Sequence, residues 1–287
     1  MSSGHFPNHH SRNVAGLLLG LSLGWVANVP AQLPALNEAP WLGYFAGYEN
    51  KRFTFGLSAA GEIKVTPLND KGEHFGPNDH FAILFGITEI LPDGKLEMKK
   101  IKADTLTSEQ AATDKLEKVV IRGKVSADAG FEAMIAQDRG VISITGRVTE
   151  TGGFKKNPIR FGVQVNFPDT YPKWMREDKW KSDEKAMEAL QKKLKLENID
   201  ITWTDGKKVK QSFEEPVDAA SKELNGPGIS MAEIEVQTYK NRQFIFTASN
   251  SSAMTLSNAG SSALSDGFFI HWTPDAEGKS VFSFEMK

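Results

Sequence analysis

The chain contains no cysteine. That excludes a disulfide framework, a thiol nucleophile, a thiolate zinc site and a lipid-modified N-terminal cysteine. It also lacks an excess of positive charge: 34 Lys and Arg stand against 36 Asp and Glu, a formal net charge of −2. Nucleic acid and anionic lipid need a basic footprint, so neither is expected as a partner. A spanning helix needs about 20 apolar residues, and the compact apolar block Val14–Ala27 has 14. Histidine is scarce. Beyond residue 31 only His74, His80 and His271 remain. Phosphate-loop, zincin and dinucleotide motifs are missing.

What is present begins with an address. Arg12 is the single Lys, Arg, Asp or Glu among residues 1–31, the block Val14–Ala27 follows it, and Val29-Pro30-Ala31 places small side chains at positions −3 and −1. A basic start, a short apolar core and a small-x-small end describe a secretory signal. Residues 1–31 are therefore expected to be a signal peptide cleaved after Ala31. Its loss removes one positive charge, leaving 33 basic residues against 36 acidic ones, or −3. The expected location is outside the cytoplasm: periplasm, cell envelope or medium. A mature chain without cysteine or a membrane span needs no oxidative folding there.

After a Pro-rich lead, Gln32–Pro40, residues 41–287 read as one domain of short alternating strands. Phe53, Phe55 and Leu57 share a face, as period two requires. Phe81–Leu91 is apolar on both faces and reads as a covered central strand. Pro92-Asp93-Gly94 turns the chain into Lys95–Lys102, and Arg139-Gly140 and Asp205-Gly206 mark further turns. Ile159–Phe167 alternates cleanly, with Arg160, Gly162, Gln164 and Asn166 on a face expected to be wet. About fifteen such strands and one helix predict an all-β fold, a large antiparallel β-sandwich with one inserted amphipathic helix. Several strands are shorter than the ~9–11 residues of an outer-membrane barrel. The helix is expected over Asp183–Leu196, with Ala186, Met187, Leu190 and Leu194 on its apolar stripe and a Glu188–Lys192 pair on its surface.

Most motif matches lose their meaning in context. Gly20-Leu21-Ser22-Leu23-Gly24 fits a nucleophile elbow but lies inside the signal, where no strand-turn-helix can form. Ser182, three residues before Lys185, reads as a helix N-cap. The segment Asn69–His80 gathers Asp70, Glu73, His74, Asp79 and His80 without a fixed ligand spacing. It reads as a polar loop, and no metal, cofactor or catalytic residue is assigned. Glu233 and Glu235 share a strand face ~6–7 Å apart, a spacing compatible with a glycosidase carboxylate pair. His271 points away from its neighbours Ile270 and Trp272.

The pattern breaks between Asn166 and Asp205, where aromatics crowd among charges. Aromatic walls beside a few polar groups suit sugar rings and their hydroxyls. Tyr171, Trp174, Arg176 and Trp180 are the candidate ligand-binding residues. The expected function is an exported, non-catalytic β-sandwich protein that binds a polysaccharide or another cell-envelope component. One alternative is a sugar-active hydrolase, lyase or epimerase using paired carboxylates with His271. Another is a structural or assembly protein of the envelope, which would carry a broad exposed apolar patch.

Overall fold

The computed structural model describes residues 32–75, 80–168, 185, 188, 189, 192, 197–213, 215–217, 229–235, 239, 242–249, 253–258, 264, 267–275 and 278–287. Within them, 17 strands form two antiparallel sheets, a large β-sandwich as the alternation predicts. Helical backbone occurs at Lys185, Glu188, Ala189 and Lys192, all exposed; the rest of the expected helix lies outside the described residues.

The first sheet has eight strands. A meander of β1 (Tyr44–Glu49), β2 (Phe53–Ser58), β3 (Ile63–Pro67) and β4 (Phe81–Ile90) is followed across the sheet by β10 (Ile159–Phe167), β16 (Phe268–Thr273) and β15 (Ala253–Asn258). The short β5 (Leu96–Met98) pairs with the end of β4. The second sheet has nine. One flank is the meander β6 (Ile101–Thr107), β7 (Lys118–Val125), β8 (Gly130–Asp138) and β9 (Val141–Glu150). The other holds β11 (Asn198–Trp203), β12 (Lys208–Ser212), β13 (Ile229–Glu235) and β14 (Gln243–Ala248), and β17 (Phe282–Met286) lies between β14 and β9.

Phenylalanine fills the space between the sheets. Phe81 of β4 meets Phe244 and Phe246 of β14 and Phe284 of β17, with ring centroids 5.8, 6.1 and 5.4 Å away. Trp272 of β16 reaches Phe282 at 5.9 Å. These rings come from alternate positions of their strands, so the opposite positions of each strand face outward. The lead is anchored as well: Leu33 is buried, and Leu36 N–H donates to the Tyr44 carbonyl at 2.7 Å.

Two local findings differ from the strand pattern. Lys95–Lys102 is two strands, β5 and β6, one in each sheet. The crossing at Lys99 is clamped by ion pairs to Glu89 at 2.5 Å and Glu97 at 2.9 Å. Hydrogen bonds from Lys99 and Asn157 hold the Glu89 carboxyl below the usual carboxylate range. Second, the supposedly wet face of β10 is largely covered: Gly162 and Gln164 are buried, Asn166 is half-buried and Arg160 alone is exposed. β10 is an interior strand between β4 and β16, and its outward side chains sit among theirs.

The free edge of β1 is closed by a strap from the second sheet. Thr113 N–H donates to the Phe45 carbonyl, and Gly47 N–H and Leu116 N–H complete the pairing with Thr113 and Gly47 carbonyls. Such cover removes an aggregation-prone edge. The outward face of the second sheet carries a solvated ladder in which Glu132 accepts from Arg122 Nε at 2.7 Å and Arg147 Nη2 at 2.9 Å.

Candidate functional site

The outward face of the eight-stranded sheet contains a trough made by two glycines. Gly47 of β1 pairs directly with Gly56 of β2. With no side chains there, two aromatic rings lie down on the strands. A methyl group on Gly47 would fall 2.6 Å from the Trp41 indole, and one on Gly56 would fall 2.4 Å from the Tyr44 ring. Rings laid over strand glycines stabilise an edge by covering its backbone. Trp41 and Tyr44 meet edge to face, 5.9 Å apart at 88°. Backbone turns fix both, since Trp41 N–H donates to the Glu38 carbonyl and Tyr44 N–H to the Trp41 carbonyl, each at 3.0 Å.

Beside the rings is a cavity of about 360 Å³, within the size range of small-molecule sites. Thr54 and Thr66, opposite each other on β2 and β3, put hydroxyls on its floor, and Lys64 and Glu49 add one charge of each sign. Among the described residues, neither Lys64 nor Glu49 has an ion-pair partner within 4 Å. His74, Leu68 and Gly72 close the far wall. The result is two half-exposed aromatic faces next to hydroxyls, an ammonium and a carboxylate.

The far wall is a tight loop held by its own first residue and by the other sheet. Asn69 Oδ1 accepts from Lys71 N–H and Glu73 N–H at 2.8 and 3.0 Å. Arg242, at the start of β14 and almost fully buried, reaches across: Nε donates to the Leu68 carbonyl at 2.7 Å and Nη2 to Asp70 Oδ1 at 2.9 Å. Arg242→Gln leaves a buried carbonyl short of its donor, at a cost of about 1–3 kcal/mol. Urea unfolding should register that loss, and amide exchange at Lys71–Glu73 should speed up. Unchanged exchange would show that Asn69 alone holds the wall.

Farther along the same face lies a polar row in which Gln164 is buried and Asn166, Ser257 and His271 are half-buried. Gln164 of β10 and His271 of β16 are direct neighbours, and Gln164 Nε2 donates to Asn166 Oδ1 at 2.6 Å. His271 Nε2 is 3.3 Å from the Ser257 hydroxyl of β15. Burial lowers the His271 pKa to about 4, so the ring is neutral near pH 7.

The residues singled out in the sequence fare unevenly. Tyr171, Trp174, Arg176 and Trp180 lie outside the described residues. Glu233 and Glu235 are on β13 of the nine-stranded sheet, and the residues between and before them, Ile234 and Ala232, are buried between the sheets. They face away from the sheet that carries His271, so the three do not share a cleft. Of the candidate ligands in Asn69–His80, Asp70 is tied to Arg242, Glu73 accepts from Asn69, His74 lines the pocket, and Asp79 lies outside the described residues. Among the described residues, no group of three or more His, Asp or Glu could hold a metal ion. The one exposed large hydrophobic side chain among them is Leu42, so they form no broad apolar patch.

No protein-family model matches the chain, and no curated protein matches it. Solved structures do. The α-N-acetylgalactosaminidase NagBb of Bifidobacterium bifidum, in complex with Gal-NHAc-DNJ, superposes with a TM-score of 0.50 at 11% identity. That match covers 84% of this chain and 36% of the enzyme, so the chain spans about a third of the enzyme's length. The same enzyme with GalNAc gives 0.47 at 8% identity over 84% and 35%, and a proposed aldose 1-epimerase of Escherichia coli K12 gives 0.44 at 10% over 84% and 98%. What is shared is the fold. At 11% identity the galactosaminidase likeness concerns two stacked antiparallel sheets and carries no residue across.

Nothing in the sequence singles out Trp41 or Tyr44, which stand at the start of the strand pattern. The signal that could have found them is the Gly47↔Gly56 pair, but it appears only once the β1–β2 register is known.

Proposed function

We propose that the protein is an exported, non-catalytic glycan-binding protein whose sugar seat is the Trp41–Tyr44 trough. The observation that carries this reading is the pair of rings laid over Gly47 and Gly56 beside Thr54, Thr66, Lys64, Glu49 and His74. A sugar ring presents an apolar C–H face and a rim of hydroxyls. Aromatic faces take the first, and hydroxyls and charged groups take the second. The described lining includes one carboxylate, Glu49, whereas hydrolysis by a glycosidase calls for two flanking the scissile bond. Export follows from the N-terminal signal and would place the protein among envelope and extracellular polysaccharides.

The test is affinity electrophoresis of the cleaved chain through a panel of neutral polysaccharides. At least one should retard it. Trp41→Ala should weaken that binding about tenfold, the worth of one aromatic contact. Gly56→Val, which displaces the Tyr44 ring, should act similarly. A Trp174→Ala/Trp180→Ala chain run alongside should be retarded like wild type. Failure of the whole panel, or wild-type retardation of both trough variants, would refute the reading.

A further inference from the structure

A second cavity, of about 350 Å³, lies where the β1–β2 turn, the β8–β9 turn and the end of β17 meet. It is around the end of β1 from the trough: Glu49 lines the first cavity, and Asn50, Lys51 and Arg52 line the second. Two separate turns aim cations at it, Lys51 and Arg52 from one and Arg139 from the other. Among the described residues, no carboxylate comes within 4 Å of the Lys51 or Arg52 charge. Arg139 is 3.9 Å from Asp138, both side chains being exposed, and the carboxylate in the lining, Glu285, is taken by Lys287 at 3.2 Å. Asn50 holds its turn by accepting from Arg52 N–H and Phe53 N–H, and its amide donates to the Tyr48 hydroxyl at 3.3 Å.

The β8–β9 turn adds an independent observation. Arg139 and Gly140 are its two central residues, with φ of +48° and +89°. Such a turn favours Asn-Gly, because a left-handed backbone strains most residues that carry a Cβ and Asn tolerates it best. An arginine here is a poor choice for the turn and a good one for charge.

We propose that this cavity binds an oxyanion, a sulfate, phosphate or carboxylate group carried on an acidic polymer. Arg52 Nη1 donates to the Met286 carbonyl at 3.3 Å, which leaves its Nε and Nη2 for an oxyanion; the Arg139 guanidinium can offer a parallel pair of N–H donors, and Lys51 adds a point charge. The site is independent of the trough and does not rest on the neutral-glycan reading.

Calorimetric titration of the full chain at low salt tests it, with dextran sulfate, carboxymethyl-dextran and neutral dextran as probes. The charged polymers should bind more tightly than neutral dextran, and the tighter of the two identifies the preferred oxyanion. Lys51→Gln/Arg52→Gln should weaken that binding about tenfold. Arg139→Asn should weaken it several-fold while raising the thermal midpoint, a combination that a purely structural arginine would not give. Trp41→Ala should leave it unchanged, which separates this site from the trough. Equal affinity for neutral dextran overturns the proposal. So does equal weakening by Lys155→Gln/Lys156→Gln, which removes the same charge from the exposed loop beyond the opposite end of β9.

Discussion

Phe81→Ala should lower unfolding stability by about 3–5 kcal/mol, the range for a buried phenylalanine reduced to its Cβ. Phe81 is a hub for both sheets. It stacks on Phe167 at 5.8 Å within its own sheet and meets Phe244, Phe246 and Phe284 of the other edge to face. Removing the ring leaves a void walled by four aromatics from three strands, which cannot all close on it. Each lost aromatic pair is worth about 0.5–1.5 kcal/mol beyond area. Urea unfolding measures the change, and Phe81→Leu should recover part of it by refilling volume. A loss under about 1 kcal/mol would mean the sheets slide together and are less rigidly joined than the packing implies.

The second large effect is on pH dependence. His271 has a folded pKa of about 4, against an ordinary value of 6.5, because burial penalises its charged form. Its cross-strand neighbours Gln164 and Thr255 and its diagonal neighbours Asn166 and Ser257 are all uncharged, so none of them offsets the loss of water. Above pH 6.5 the ring is neutral in both folded and unfolded chains and the stability is whole. As pH falls from 6.5 to 4, the unfolded chain takes up a proton that the folded chain refuses, and stability drops. The total is about 3 kcal/mol, and the decline levels off below pH 4. Glu89 and Glu132 have lowered pKa values and add their losses at lower pH. Urea midpoints at pH 7, 5.5 and 4.5 should therefore fall in wild type and stay nearly flat in His271→Gln. Parallel slopes in the two proteins would show that the imidazole is hydrated.

The parts of this fold legible in the sequence are those decided by neighbouring residues. Pro92-Asp93-Gly94 is a turn because Gly94, with φ of +82°, sits where a side chain would be strained. Phe53, Phe55 and Leu57 share a face because strands alternate, and all three are buried. Other parts depend on partners distant in the chain. β15 is a strand because β16 pairs with it along Ala253–Asn258; its own sequence, with Met254 and Leu256 among Ser and Thr, has too little contrast. Lys95–Lys102 reads as one short returning run, and only the pairing of β5 with β4 and of β6 with β7 shows that the chain changes sheets there. Gln164 and Asn166 look wet by type and are covered by position. The trough follows the same logic. Gly47 and Gly56 mean little apart, and they become a seat for two rings only when the hairpin aligns them.

The placement of β17 has a consequence for how the chain assembles. It lies between β14 and β9, and its pairing with β9 joins residues 282–284 to residues 142–144. Without it the nine-stranded sheet is two separate ribbons, each with an open side. β17 is thus a keystone in space, and the sheet closes only when it meets β9, a strand far back in the chain. Long-range closure of this kind makes folding slow and late. Until β17 docks, the facing sides of β9 and β14 are unpaired strand edges that any extended peptide, including another copy's β17, could fill. Escape from that hazard depends on how long β9 and β14 wait for β17.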